Sequence, residues 1–219
     1  HAIYGPDGKD HSVVDYSFHW DPYQAPEKIR VGYLKSAFEK DTSNVEKNKM
    51  ILSTLRNQGF DLIPVELPGY PLSAMVMILE AEAAAAFDKL TRTDRDDLLT
   101  RQTENAWPNI FRQARFIPAV EYIQANRIRT LLMQDTRDAI KNVDVLVSPS
   151  FKGGTLLLTN LTGHPAVVVP TGADEEGNST SITFVGRMYQ EGTTLLVAKI
   201  FQDNTDFHLK HPDMEAIVK

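Results

Sequence analysis

Residues 29–67 read IRVGYLKSAFEKDTSNVEKNKMILSTLRNQGFDLIPVEL, and their pattern decides the class of fold. The opening IRVGYL, residues 29–34, is short, apolar and β-branched in the manner of a strand. Ser43-Asn44-Val45-Glu46 has the spacing of a capping box, in which side chains satisfy the free N–H groups of a helix start. A helix from Val45 carries Ile51, Leu52 and Leu55 inward and stops at Gly59, a usual residue just past a helix end. Residues 62–67 make a second strand, which Pro64 either places at a sheet edge or leaves only partly regular. Strand, helix and strand in so short a span predict a βαβ unit and parallel pairing.

The same kind of reading extends outward along the chain. Residues 1–28 are polar and rich in turn signals and form an irregular lead-in. After Pro71, the residues Leu72, Met75, Val76, Leu79, Ala83, Phe87 and Leu90 recur at steps of three and four and predict one apolar helix face. Residues 91–114 are charged and interrupted by Trp107-Pro108, which predicts helix, break, helix. A further helix over 118–142 buries Val120, Ile123, Leu131, Leu132 and Ile140. Residues 144–150, 166–172 and 181–186 predict three more strands. A last helix over 191–203 packs Leu195, Leu196, Ala198 and Ile200. The expected fold is α/β, a mixed and partly parallel sheet flanked by helices, with residues 1–219 as a single unit.

Composition excludes several classes of function. The 219 residues are 42% apolar and 24% charged, as in a soluble globular protein. A net charge of −6 argues against nucleic acid or an anionic membrane surface as partner. The longest apolar run falls far short of the ~20 residues that span a bilayer. Without cysteine there is no disulfide, thiol nucleophile or Cys-ligated metal, which leaves the redox compartment open; the location stays unassigned, with a soluble, cytoplasmic setting favoured. Beginning at His1, the chain reads as a processed protein or a piece of a longer one.

Motif searches return little chemistry. His208 and His211 lack the further ligands that a zinc site requires, and Asp7, Asp10 and Asp15 lack the alternation of a calcium loop. No metal and no cofactor is expected. Lys152-Gly153-Gly154-Thr155 is too short for a phosphate loop and reads as a plain connection. No G-x-S-x-G elbow exists, and Ser148 and Ser150 read as polar residues at a strand end. Asn160-Leu161-Thr162 and Asn178-Ser179-Thr180 match the N-glycosylation pattern by chance.

The stretch TNLTGHPAVVVPTG, residues 159–172, is the most specific. Its β-branched centre, 166–169, reads as a buried strand that Pro165 and Pro170 bound, yet Asn160, Thr162, Gly163 and His164 precede it. A plain core strand has no need of such a preface. Together with its neighbours this stretch resembles the amidase signature family, serine hydrolases of carboxamides. Tyr122, Ala125, Asn126, Arg127 and Arg129 look like that family's Tyr–Ala–Arg helix, and residues 144–149 look like the strand after it. Residues 160–166 look like its Asn-x-x-Gly-x-Pro turn; Phe184-Val185-Gly186 and residues 191–196 resemble its last strand and last helix. Residues 2–10 look like the Gly-x-Asp-x-x-Asp segment that follows its catalytic core.

The resemblance implies that the 160–166 turn sits near a substrate cleft. Asn160, Thr162, Gly163 and His164 are therefore the expected substrate-binding residues, with Gly163 supplying an unusual backbone angle. It also implies a Ser–Ser–Lys mechanism whose three groups lie before His1, so no residue of this chain is assigned a catalytic role. The implied partners are a small-molecule amide and the missing N-terminal catalytic segment, and exposed apolar surface would favour self-association. The alternatives are a non-catalytic binding module and a glutaminase-type amidotransferase subunit. Three departures bear on substrate class: a short loop over 151–159, Ser179, Ser181 and Thr183 before the last strand, and Phe207 and His211 where Trp and Arg are common.

Overall fold

The computed structural model describes residues 5–174 and 176–210. The chain divides into two compact units, one of His1–Leu67 with Thr136–Lys219 and the other of Pro68–Asp135.

The first unit is built on five strands: β1 (Val31–Leu34), β2 (Leu62–Val65), β3 (Val145–Pro149), β4 (Ala166–Ala173) and β5 (Ser179–Gly186). Their order is β2-β1-β3-β5-β4. β1 is parallel to β2 and β3, whereas β5 is antiparallel to β3 and β4. The sheet is therefore mixed and partly parallel, as expected, and Pro64 does lie in an edge strand. The crossover from β1 to β2 runs through α1 (Lys35–Lys40), a 3-10 turn at Thr42–Asn44 and α2 (Val45–Asn57).

β3 is buried at all five positions, as a central strand covered on both faces should be. Alternate side chains part to opposite faces. Val145 and Val147 join Val31, Phe184, Leu55 and Phe201 in one cluster; Leu146 joins Leu34, Ile140 and Val185 in another. Each such fully buried side chain is worth roughly 1.5–3 kcal/mol. The first cluster is closed by α2 and by α8 (Glu191–Asp203), whose Leu196, Val197 and Phe201 point inward. Leu195, expected inside, is 38% exposed, because its neighbours already fill the sheet-facing side.

Several local expectations give way to tertiary structure. The capping box does not form: Asn44, not Ser43, occupies the cap position of α2 and makes no side-chain cap bond, and its Nδ2 donates to Asp41. β4 is not a buried strand but the sheet edge, with Val169 inward and Val168 60% exposed. Nor does Pro170 stop it. An edge strand tolerates a missing N–H, and a register shift between Pro170 and Gly172 absorbs the irregularity. Residues 155–159, expected to be loop, belong to α7 (Thr155–Thr162).

The irregular lead-in has no helix or strand over the described residues 5–25, yet it is tied down. Tyr16 stacks on Tyr189 with ring centres 4.7 Å apart. A Cβ on Gly192, in the first turn of α8, would overlap the His19 carbonyl, so only glycine lets the lead-in cross there. Asp7 and Asp10 accept hydrogen bonds from nearby backbone N–H groups and form a solvated turn. Residues 2–4 of the expected Gly-x-Asp-x-x-Asp segment, and His211, lie outside the described residues.

The second unit is helical. It holds α3 (Met77–Ala86), α4 (Asp88–Arg92), α5 (Trp107–Gln113) and most of α6 (Ala119–Ala139). Ala84, Phe111 and Ala114 form its small core. The continuous face expected after Pro71 is broken: Met75, Ile78 and Ala84 are buried, whereas Leu79 and Phe87 are 54% and 52% exposed. A 3-10 turn at Ala74–Val76 changes the helical phase, and Phe87 interrupts α3 from α4. Pro108 does not break a helix but opens α5, where its missing N–H costs nothing. On α6, Ala125 and Leu132 are buried, while Val120, Ile123 and Leu131 are 64%, 57% and 52% exposed.

Candidate functional site

The two ends of the sheet carry different polar groups. At the carboxyl ends of β1 and β3, the chain leaves β1 through α1 to Asp41 and leaves β3 through Ser150 to Lys152. β4 ends and β5 begins at the same margin, bringing Thr171, Thr180 and Ser181 alongside. These residues, with Asn44, Lys47 and Asn48 from the start of α2, line a cleft of about 140 Å³. Crevices outside the carboxyl ends of parallel strands are the usual place for ligands in α/β sheets.

Asp41 is the anchor of this cleft, only 3% exposed. Asn44 Nδ2 donates to both of its oxygens at 3.1 and 3.2 Å, Asn48 Nδ2 donates at 3.0 Å, and Lys152 Nζ stands 3.5 Å away. Burial alone would push the Asp41 carboxyl up. The bonds from Asn48 and Asn44 and the Lys152 charge outweigh burial and hold it below the ordinary carboxylate value. Across the cleft, Lys47 Nζ donates to the Ala173 carbonyl at 2.9 Å and to Thr180 Oγ1 at 2.8 Å. Thr171 Oγ1 donates to Thr180 Oγ1, and Ser150 and Thr183 share a hydroxyl hydrogen bond of 2.8 Å.

The residues expected to bind substrate stand at the opposite margin, where β3 and β4 begin. Asn160 and Thr162 are not in a turn but in the last turn of α7; Gly163 caps it at φ 82°, and its N–H reaches the Thr159 carbonyl. Asn160 Nδ2 donates to the Leu156 carbonyl at 2.8 Å. Thr162 Oγ1 donates to the Leu158 carbonyl at 2.7 Å and also lies 2.7 Å from His164 Nδ1. A hydroxyl has one proton, so with that proton on Leu158 the His164 Nδ1 carries the other and Nε2 is left to accept. Burial pushes the His164 imidazole down, which favours this neutral form. Thus Thr162 and His164 are buried and paired with each other, while Asn160 and Gly163 are exposed.

Near them Asp144 ties the starts of β1 and β3. Arg30 grips it with Nε at 3.1 Å and Nη2 at 2.7 Å, its own N–H adds a bond of 3.0 Å, and Arg187 Nη1 lies 3.5 Å away. Burial would raise the Asp144 carboxyl, but these partners keep it low.

The other sequence candidates act locally. Ser148 is fully buried and bonds the Pro149 carbonyl. In the second unit Tyr122 donates to Glu82 at 3.0 Å, and Asn126 bonds back to the Tyr122 carbonyl. Among the described residues no cluster of His, Cys, Asp and Glu could hold a metal ion. Nor is any helix there long and apolar enough to cross a membrane. α7 follows Gly154 directly, so Lys152-Gly153-Gly154-Thr155 is a helix entry rather than a plain connection. No sequence motif marks the Asp41 cleft. Its one signal is the spacing of Asp41, Asn44 and Asn48, which suits one helical face.

A mixed sheet clothed by helices, with a polar crevice at the strand ends, defines the class as an α/β protein. The model of the Amidase family matches residues 1–158, and the chain belongs to that family. A glutamyl-tRNA(Gln) amidotransferase subunit of Trichormus variabilis is 28% identical over 262 aligned positions, covering 96% of this chain and 53% of that protein. The peptide amidase of Stenotrophomonas maltophilia superposes with a TM-score of 0.68 at 19% identity, covering 84% of this chain and 44% of its own. An allophanate hydrolase of Kluyveromyces lactis gives 0.63 at 22% identity, covering 90% and 35%. At such identities the two solved structures speak for the fold. The chain spans about half the length of the curated relatives it matches.

Proposed function

We propose that this chain is the C-terminal portion of an amide hydrolase whose Ser–Ser–Lys groups lie in a segment N-terminal to it, and that alone it is inactive. Membership of the amidase family carries the reading. Two features of the chain support it. Among the described residues no lysine shares a hydrogen bond with a serine; the lysine–hydroxyl contact there is Lys47 to Thr180. And Val120, Ile123 and Leu131 lie exposed within roughly 80° of arc on α6 at 100° per residue, an apolar stripe suited to cover by a further segment or a second copy.

In the intact enzyme the activated serine attacks the amide carbonyl, backbone N–H groups hold the developing oxyanion, the C–N bond breaks as the amine leaves with the proton taken from the serine, and water then hydrolyses the acyl-serine. Asn160, Thr162, Gly163 and His164 stand on the substrate side in this reading and act through backbone shape, since the side-chain bonds of Asn160 and Thr162 are spent internally. The amidotransferase relatives favour a second reading, that of a glutaminase component, against which the net charge of −6 weighs if tRNA is the partner.

The test is ammonia release from a panel of carboxamides that includes glutamine. It is run with the chain alone and with the chain joined to the coding segment that precedes His1 in its gene. The expected result is turnover only when joined. Turnover by the chain alone, or a preceding segment without paired serines and a lysine, overturns the proposal; a strong preference for glutamine selects the second reading.

A further inference from the structure

We propose that the cleft beside Asp41 binds a small carboxylate, held between Lys47 and Lys152. Asp41 cannot itself receive such a ligand as a donor site would, because its oxygens already accept from Asn44, Asn48 and Lys152. It acts as a buried clamp that aims Lys152. Both lysines line the cleft and have donors left over. An ammonium has three N–H groups. Lys47 uses two, on Ala173 and Thr180, and Lys152 uses one, on Asp41. Ser181 adds a hydroxyl from the start of β5.

Charge and size choose the ligand. Among the lining residues two lysines stand against one aspartate, an excess of one positive charge that Asp174, beyond the lining, offsets in part at Lys47. A monoanion neutralises it, whereas a dianion such as phosphate leaves an excess beside a buried carboxylate. A volume of about 140 Å³ is well below the roughly 300–1,000 Å³ of sites for drug-sized ligands and suits a few heavy atoms. The two oxygens of a carboxylate can take an ammonium each, in charge-assisted hydrogen bonds. The inference rests on this geometry and does not depend on the catalytic reading.

The experiment is an NMR titration of the full chain with acetate, with sodium chloride adjusted to hold ionic strength constant. The side-chain amides of Asn44 and Asn48 and the backbone of residues 150–152 serve as reporters. Expected are saturable shifts at those positions, weakened about tenfold in Lys152→Met and in Lys47→Met, a loss equivalent to about 1.4 kcal/mol. Lys152 is 49% exposed in its side chain, so Lys152→Met should keep the fold, and Ser181→Ala provides a milder variant with a smaller loss. Inorganic phosphate should bind more weakly than acetate. Shifts that chloride reproduces, shifts that do not saturate, unchanged affinity in both lysine variants, or tighter binding of phosphate would each overturn the proposal.

Discussion

The two margins of the sheet carry comparable numbers of polar side chains and use them in opposite ways. Where β3 and β4 begin, Thr162 and His164 bond one another, and Asp144 is gripped by Arg30. Where β1 and β3 end, Asp41 is equally satisfied, but its satisfaction leaves two ammonium groups with protons to spare around an open cleft. A polar group that closes on its neighbours builds a fold. One that holds a neighbour in place while that neighbour still has donors free builds a site. Burial alone does not separate the two, since Asp41 and His164 are 3% and 8% exposed.

The contrast can be broken by substitution. The largest effect is expected at Asp41→Ala, which strands the buried amide of Asn48 and the Lys152 charge and should cost about 3 kcal/mol. A urea midpoint unchanged from that of the parent chain would show that the clamp carries no weight. Thr162→Val should cost less, about 1.5 kcal/mol, because it removes one hydroxyl from Leu158 and His164. That variant should leave the acetate titration untouched; a weakened one would join the two margins into a single site.

The smallest effect is in pH dependence. His164 binds its proton less readily in the folded chain, so its contribution is complete above the ordinary 6.5 and is lost as pH falls through the folded value. Asp41 also has a lowered folded value, so its contribution is complete above 3.8 and is lost only at lower pH. Melting temperatures followed from neutral to acid pH should therefore show two declines. His164→Gln should flatten the first, and Asp41→Asn should lessen the second, which Asp144 and the other carboxylates held low share. A single decline, removed by either variant, would mean that the margins titrate as one network.

How far the sequence is legible follows the same division. β1, α2, β2, β3, β5 and α8 are where their patterns place them, because period and breakers agree there with the tertiary packing. β4 is visible in the sequence, but its place in the sheet is not. An apolar, β-branched run looks alike in the middle and at the edge of a sheet, and only strand order separates them. α7 is hidden because two glycines and two threonines read as loop, although Gly154 in the left-handed region merely opens the helix. The capping box fails because the 3-10 turn at Thr42–Asn44 moves the cap position from Ser43 to Asn44, which makes no side-chain cap bond. The cleft is hidden because Asp41 and Lys152 are brought together only by the pairing of β1 with β3.

Gly192 has a mechanical meaning as well as a steric one. Because the His19 carbonyl occupies the room a side chain would need, the irregular first residues serve as a strap across the first turn of α8. Tyr16 on Tyr189 fastens the same strap at a second point. Tension on this stretch is therefore delivered directly to α8, far away in sequence.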